Sequence, residues 1–384
     1  MRLIDGFILS AVAFLPLAGC IEPYVPHLKG ETGDVYAVYG LVTNKSGYHT
    51  VSLSQASVIS EPQYIPVTGA QMTVEDDRGN SFVLEEYTDG EYRTWIDGEF
   101  LIPGVSYRVH IWPPKGGEIV SDYDMMPECP ELDSVYYQRE EHTDPVTGEV
   151  VNGLQFYIDF NGSEFNSTYY RWSVEETWEY HSAYPIEYYY DGDKHRVSPT
   201  DYTYFVCWAT EPVPEVFTLS TRNLVSNGYQ KFPLHYVDNT TLKLYFGYSM
   251  VVTQYALSAG AYMFWEQLRI AGDRQGGLYE KQPLSVQGNL HDLANPEKKV
   301  LGFFGASSVS ETRINLDAVR DIGIDYTPMC VPYILGRLGW RQFSRSDYPV
   351  YFRYFGEALR ILDDECVDCR MYGGTIVKPE FWPE

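Results

Sequence analysis

Six cysteines carry the most reactive side chains of the 384-residue chain. Cys366 and Cys369 form a Cys-x-x-Cys sequence, a spacing that performs thiol–disulfide exchange in redox proteins. No βαβ pattern surrounds this pair, and its acidic neighbours would raise the thiol pKa where exchange needs it lowered. Those neighbours are Asp363, Asp364, Glu365 and Asp368. We therefore expect a structural disulfide near the C-terminus, which joins Cys330 to either Cys366 or Cys369.

Cys20 is expected to carry lipid. It ends Leu17-Ala-Gly-Cys20, the pattern of a bacterial lipobox, and the apolar run before it is shorter than the roughly 20 residues of a spanning helix. We expect residues 1–19 to be a lipoprotein signal peptide and residues 20–34 to be the lipidated cysteine and a tether. The alternative is a short anchor helix with an incidental cysteine. Asp5 is unusual at the start of such a signal.

The sequence contains few motifs typical of catalytic or metal-binding sites. The sequence has no G-x-S-x-G, H-E-x-x-H, G-x-x-x-x-G-K or G-x-G-x-x-G. Its eight histidines are scattered, and Asp191-Gly-Asp193 begins like a calcium loop but lacks the later ligands. A glycosidase needs two catalytic carboxylates, and among the 53 Asp and Glu residues the sequence does not indicate which two these could be. We expect no cofactor and no enzymatic activity, and a glycan or peptide hydrolase is the less favoured alternative.

Tyrosine is unusually abundant, with 34 residues against 18 phenylalanines. Tyr184, Tyr188, Tyr189 and Tyr190 lie close to proline, glycine and acidic residues in a segment expected to be a loop. Exposed tyrosines provide a large contact area at low entropic cost, so these four are a candidate surface for a ligand or partner. The alternative is a tyrosine-rich hairpin that packs on its own domain.

The net charge of −25 excludes two partner classes. No basic stripe is present to neutralise nucleic-acid phosphates, and an acidic surface is repelled by anionic lipid headgroups.

Period-two alternation predicts a mainly β fold. Residues 35–125 are expected to form an immunoglobulin-like or prealbumin-like antiparallel sandwich. Residues 131–384 are expected to form a larger β-rich domain, with one helix from Ser258 to Ile270 and a short one at Gly356–Leu362. Leu242–Phe246 is among the predicted strands of this second domain.

Several separated segments carry a family resemblance. They are the lipobox, Val38-Tyr-Gly-Leu-Val-Thr43, Val51-Ser-Leu-Ser54, Val67-Thr-Gly-Ala-Gln-Met-Thr-Val-Glu-Asp-Asp77, Tyr170-Arg-Trp172, Cys207-Trp208, Ala261-Tyr-Met-Phe-Trp-Glu-Gln-Leu268, Gln282-Pro283, Gly288-Asn289, Val300-Leu-Gly-Phe-Phe-Gly-Ala306, Cys366-Val-Asp-Cys369 and Pro379-Glu-Phe-Trp382. In this order they resemble the Bacteroidota lipoproteins of domain-of-unknown-function family 4249.

The resemblance implies an outer-membrane lipoprotein of a family that is frequently encoded beside a TonB-dependent outer-membrane transporter and has no established catalytic residues. We therefore expect a non-catalytic binding or accessory module that works with such a transporter in nutrient uptake. We expect it at the cell surface rather than the periplasmic face. A structural or adhesive surface protein is the alternative.

Overall fold

The computed structural model describes residues 35–57, 63–144, 147–273, 286, 288–327 and 330–383. Cys20 and the expected signal peptide and tether lie outside the described residues. The described part is mainly β with two α-helices, which confirms the predicted fold class. Within these ranges, neither helix combines the length and apolar character needed to cross a membrane.

The elements are given in chain order. The strands are β1 (Tyr36–Thr43), β2 (Gly47–Gln55), β3 (Ile65–Pro66), β4 (Gln71–Asp76), β5 (Ser81–Thr88), β6 (Glu91–Ile96), β7 (Ser106–Trp112), β8 (Ile119–Ser121), β9 (Asp124–Met125), β10 (Leu132–Thr143), β11 (Val150–Asn161), β12 (Tyr169–His181), β13 (Ile186–Tyr190), β14 (Lys194–Asp201), β15 (Val206–Pro212), β16 (Phe217–Ser220), β17 (Gly228–Asp238), β18 (Gly247–Ala256), β19 (Leu290–Asp292), β20 (Leu301–Ser307), β21 (Val309–Asp317), β22 (Val350–Phe355) and β23 (Ala358–Leu362). The α-helices are α1 (Ala259–Asp273) and α2 (Asp364–Val367), and 3-10 turns cover Gly98–Phe100, Gly339–Gln342, Arg345–Asp347 and Cys369–Tyr372.

The N-terminal strands form one 11-stranded sheet, in the order β19-β8-β7-β4-β5-β6-β2-β1-β20, with β3 on β2 and β9 on β7. Alternate side chains of these strands meet in one buried core, as the period-two pattern requires. Residues 290–307, which fall in the expected second domain, supply β19 and β20 to this sheet. β20 runs parallel to β1, with Gly302 opposite Val38.

Two further sheets share a second core. The three-stranded sheet β10-β11-β17 and the five-stranded sheet β15-β12-β18-β21, with β16 on β12, both contribute buried aliphatic and aromatic side chains to it. Trp172 of β12 is fully buried there, with its ring centroid 4.5 Å from that of Phe232. Its indole nitrogen donates to Gln254 Oε1 at 2.9 Å, so burial leaves no polar atom of this side chain unsatisfied.

A smaller module follows the second core. Its four-stranded sheet has the order β14-β13-β22-β23, and α2 comes directly after β23. A cluster of aromatic and aliphatic side chains fills the space under this sheet. Because β13 and β14 are far from β22 in the sequence, this module forms only after long-range pairing.

Two local predictions are wrong. Gly356–Leu362 contains a strand, β23, because its residues pair with β22 from Tyr351 to Phe355. Leu242–Phe246 forms a turn rather than a strand, although its alternation suits a strand. Leu244 of this segment still faces inward: it is fully buried, and its carbonyl accepts from Val319 N at 2.8 Å.

Helix α1 forms where it was predicted and extends further. Ser258 Oγ accepts from Ala261 N at 3.0 Å, which is the expected N-cap contact. The predicted helix ends at Ile270, whereas α1 continues to Asp273.

Candidate functional site

The cysteines form two disulfides. Cys330 bonds Cys366, with 5.0 Å between their Cα atoms, which is one of the two pairings left open by the sequence. Cys369 bonds Cys207 of β15 at a Cα separation of 5.8 Å, and Cys207 was not among the expected partners. Among the described residues Cys129 has no disulfide partner, and burial raises its pKa to about 11, so its thiol is protonated at neutral pH.

The Cys207–Cys369 bond attaches the C-terminal residues to β15. Trp208 N donates to Thr375 O at 2.8 Å, and Thr375 N donates back to Trp208 O at 2.9 Å. The Tyr180 hydroxyl of β12 donates to Cys369 O at 3.0 Å. The disulfide and the Tyr180 hydrogen bond therefore hold the 3-10 turn that starts at Cys369 against β15 and β12, and two more hydrogen bonds hold Thr375 on β15.

A cavity of about 280 Å³ opens beside this turn. We call it the aromatic cleft, and it is lined by Trp178, Tyr180, His181, Ala183, Ala209, Thr210, Glu211, Leu242, Tyr326, Tyr372 and Gly373. Trp178 lies directly opposite Ala209 in the β12–β15 register, and Tyr180 lies opposite Cys207. Opposite residues of an antiparallel pair share a face, and positions two apart on one strand do so as well, so the rings of Trp178 and Tyr180 project from the same side of the sheet.

Hydrogen bonds and ring contacts fix the orientation of the rings of the cleft. The Tyr372 hydroxyl donates to Glu365 O at 3.2 Å, and the Tyr180 ring meets Tyr372 edge to face, at 6.4 Å and 75°. Tyr326 stacks on Tyr245, with centroids 4.6 Å apart and planes at 15°. Burial raises the pKa of Tyr180 and Tyr372, so both phenols stay neutral at physiological pH. These contacts hold the ring surfaces of the cleft in fixed positions.

A buried charge lies behind Trp178. The Glu176 carboxylate pairs with Lys243, accepts from the Tyr248 hydroxyl at 3.0 Å and lies 3.4 Å from His235 Nε2. Burial acts to raise the Glu176 pKa, but hydrogen bonds and charges from His235 and Lys243 outweigh it and lower that pKa. Lys243 Nζ also lies 4.5 Å from the centroid of the Trp178 ring, a cation–π distance.

Glu211 at the edge of the cleft differs from Glu176 in exposure and in its contacts. It lies opposite Glu176 in the strand register and is exposed. Among the described residues, its carboxylate has neither a hydrogen-bond nor an ion-pair partner. His181, the other ionisable rim residue beside the tyrosines, is 2.8 Å from Glu179 Oε1 and stacks on Phe246 at 3.7 Å. The described rim therefore carries one unpaired negative charge.

Comparison with known proteins gives a family. The model of the Domain of unknown function (DUF4249) matches residues 21–313. The chain belongs to this family. None of the curated proteins matches it. A solved structure described as trypsin activated alpha-2-macroglobulin from Escherichia coli has 9% identity and a TM-score of 0.19, over 60% of this chain and 15% of that one. This likeness is too weak to indicate a fold or a function.

The DUF4249 match covers one wall of the aromatic cleft. Trp178, Tyr180 and Glu211 lie within residues 21–313, whereas Tyr326 and Tyr372 lie beyond the matched range. None of these five residues was singled out as a site from the sequence. The signals in the sequence were weak: Tyr180 begins the tyrosine-rich segment, and Cys207, which positions the opposite wall, belongs to one of the family-like motifs.

The four tyrosines expected in a loop lie elsewhere. The loop prediction is wrong for Tyr188, Tyr189 and Tyr190, because they belong to β13 and pair with β22. Tyr188 stacks on Phe352 at 5.3 Å, and Tyr190 stacks on Trp340 at 4.3 Å.

The other two rings of this set also have aromatic neighbours. Tyr189 stacks on His195 at 4.8 Å, and Tyr184 meets Phe355 edge to face at 5.5 Å. All four tyrosines are half-buried, which matches the alternative of a hairpin packed on its own domain.

Other depressions suit a ligand less well. Two open, polar ones, of about 470 and 730 Å³, share the exposed ion pair of Arg139 with Asp321, whose two hydrogen bonds are 2.6 and 2.9 Å. Small-molecule sites are concave and mostly apolar with a few polar groups, which describes the aromatic cleft better. In the described ranges, no three His, Cys, Asp or Glu side chains are placed to hold a metal ion.

Proposed function

We propose that this chain is a lipid-anchored lipoprotein of a Bacteroidota-type outer membrane, which binds a small ligand in the aromatic cleft without transforming it. The observation that carries the proposal is the preorganised ring surface of the cleft, braced by the Cys207–Cys369 disulfide. A structural disulfide is typical of an oxidising, extracytoplasmic compartment.

The lipobox supports anchoring through Cys20. The first described strand begins at Tyr36, so about 15 residues separate the lipid from the folded part, at up to roughly 3.5 Å per residue. Metabolic labelling with a fatty-acid analogue tests this anchor. We expect label on the wild-type protein and none on Cys20→Ser, whereas Cys129→Ser serves as the thiol control. Equal labelling of all three proteins would exclude lipid on Cys20.

The resemblance stated above supports a TonB-dependent transporter as partner, with the lipoprotein acting as an accessory in nutrient uptake at the cell surface. Affinity purification of the full-length protein from native membranes in mild detergent tests this association. We expect a large β-barrel protein to co-purify. Its repeated absence, with the lipoprotein intact and folded, would contradict the partnership. Protease shaving of intact cells tests the surface location.

A structural or adhesive role is the second candidate, favoured by one exposed face of the first sheet. Tyr48 and Trp95 face each other across β2 and β6, with centroids 5.2 Å apart. The Arg93 guanidinium lies over both Tyr48 and Tyr87, at 4.3 and 3.5 Å. Exposed Trp, Tyr and Arg are the residue types that dominate protein interfaces. Trp95→Ser with Tyr87→Ser should impair attachment but not uptake if this role is correct.

A further inference from the structure

Two carboxylates near the aromatic cleft have partners, and a third has none among the described residues. Glu176 is paired with Lys243, and Glu179 is hydrogen-bonded to His181. Glu211 is exposed at the rim and has no such partner among the described residues. The cleft therefore presents a net negative charge to whatever enters it, and the overall charge of −25 adds a field of the same sign.

The rings of the cleft are arranged to attract positive charge. The face of an aromatic ring is electron-rich, and cations bind it within about 6 Å of the centroid. Tyr180 and Tyr372 meet at 75°, so their surfaces form two walls rather than one flat platform. Trp178 has the Lys243 ammonium 4.5 Å from its ring centroid, so this ring is placed to attract positive charge, and Glu176 neutralises that ammonium.

The hydroxyl groups of two cleft tyrosines are engaged elsewhere. Tyr180 donates to Cys369 O and Tyr372 donates to Glu365 O. A ligand consequently meets the ring carbon atoms of these two tyrosines together with the Glu211 carboxylate, beside Thr210 and His181. This combination favours a group that is both weakly hydrated and positively charged over a neutral polyol, which needs several free hydrogen-bonding groups.

We propose that the aromatic cleft binds a small organic cation, an alkylammonium group held by the ring surfaces of Trp178, Tyr180, Tyr326 and Tyr372 and by the carboxylate of Glu211. The volume of about 280 Å³ is near the lower limit of small-molecule sites and suits a compact cation. This inference rests on the proposed function only in taking the cleft as the ligand site. It requires neither the lipid anchor nor the transporter.

Isothermal titration of the full-length protein in non-ionic detergent tests the inference, with choline as the cationic probe and 3,3-dimethyl-1-butanol as its neutral isostere. We expect saturable choline binding and an affinity at least about tenfold lower for the isostere. Raising the ionic strength should weaken choline binding because salt screens the Glu211 charge. Acetyl-Gly-Lys-Gly amide distinguishes a free cation from a lysine side chain of a protein, and we expect it to bind more weakly than choline.

Matched variants assign the effect to the cleft. Glu211→Gln should lower the choline affinity about three- to tenfold with an unchanged melting temperature, because Glu211 is exposed. Glu215→Gln removes the same charge from an exposed position outside the cleft lining and should leave the affinity unchanged. Trp178→Leu should weaken choline more than the isostere.

Three results would overturn the inference: no choline binding, equal affinity for choline and its isostere, or the same loss in Glu211→Gln and Glu215→Gln. Tighter binding of a neutral monosaccharide than of choline would also overturn the inference and would indicate a glycan as the ligand. None of these outcomes affects co-purification with a β-barrel partner. Conversely, a failure to co-purify would contradict the accessory function while choline binding stands.

Discussion

Cys207 and Cys369 are joined across 162 residues, and their bond attaches the turn that carries Tyr372 to the strand that carries Glu211. The two walls of the aromatic cleft thus come from distant parts of the chain and are held together covalently. The second disulfide, Cys330–Cys366, lies in the smaller module of β13, β14, β22, β23 and α2 and does not involve β12 or β15. The two bonds should therefore contribute differently to the cleft.

Removal of the first bond is expected to affect both stability and binding. Cys207→Ser with Cys369→Ser should lower the free energy of unfolding by about 2–5 kcal/mol, because the unfolded chain regains the entropy of a long open loop. It should also weaken choline binding at temperatures where the protein stays folded, because Tyr372 loses its covalent support. Urea unfolding and calorimetric titration measure the two effects.

The control for this experiment is Cys330→Ser with Cys366→Ser. It should cost stability in the same range but affect choline binding less, since its loop spans 36 residues within the module. An equal loss of affinity in both double variants would mean that the disulfides act on the cleft only through overall stability.

The buried Glu176–Lys243 pair is expected to be sensitive to the loss of one partner. Lys243→Met leaves a carboxylate whose side chain is 4% exposed without its main counter-charge. The free energy of unfolding at pH 7 should fall by roughly 3 kcal/mol. Glu176→Gln with Lys243→Met should recover part of this loss, because no buried charge then remains. A double variant as unstable as Lys243→Met would contradict the pairing.

The pH dependence of this pair has a definite sign. Since the folded pKa of Glu176 lies below its unfolded value of about 4.3, its stabilisation is present above that pH. It is lost as the pH falls through the folded pKa. The stability difference between the wild type and Glu176→Gln should therefore shrink as the pH is lowered from 6 towards 3. A difference that stays constant over this range would indicate that the ionised carboxylate contributes no stability.

Much of the strand content could be predicted, because alternation survives wherever one face of a sheet is buried. The prediction from alternation was wrong at Tyr188–Tyr190. Consecutive aromatic residues hide the alternation there, and these residues form a strand because they pair with β22. Gly356–Leu362 failed for the same reason, since its strand forms by pairing with β22. The sequence within either segment does not show that β22 is its pairing partner.

The cleft was beyond prediction for a related physical reason. Its rings come from β12, from Tyr326 and from the turn at Tyr372, and nothing in the spacing of these segments shows that they meet. Tyr180 and Cys207 were the local clues, but the five cysteines other than Cys20 allow several pairings. Fold class is a property of local pattern, whereas this site depends on long-range contact.

Gly302 is expected to be essential for closing the first sheet with β20. It has φ of +97°, and a Cβ at this position would collide with the carbonyl oxygen of Val38. Gly302→Ala should lower the free energy of unfolding by roughly 3 kcal/mol or more, from backbone strain and a clash that separates β20 from β1.

Gly104→Ala is the matched control for Gly302→Ala. Gly104 has φ of +89°, but a Cβ there would have no atom within 4 Å, so this variant reports strain alone and should cost about 1 kcal/mol. Urea unfolding of both variants separates clash from strain. Equal losses would show that β20 tolerates the side chain.

Asp124 links the first sheet to helix α1 and is expected to make stability depend on pH near neutrality. Its carboxylate is 6% exposed and accepts from Ala306 N at 2.9 Å. Burial raises its pKa to about 6, although hydrogen bonds from Ser258 and Ala306 oppose the shift. Because the folded pKa lies above the unfolded value of about 3.9, the contribution of Asp124 is fully present below pH 4. It is lost as the pH rises through 6, by up to about 3 kcal/mol.

Asp124→Asn tests this sign, because the amide keeps the shape of the side chain and does not titrate. The free energy of unfolding of the wild type minus that of Asp124→Asn should fall between pH 4.5 and 7.5, as the buried carboxylate ionises in the wild type only. Asp133→Asn, at an exposed position, should show a difference that does not vary with pH. Urea unfolding at four pH values measures both differences. A wild-type advantage that grows with pH would mean that the ionised form of Asp124 is the stabilising one, held by the Ser258 cap and the amide of Ala306.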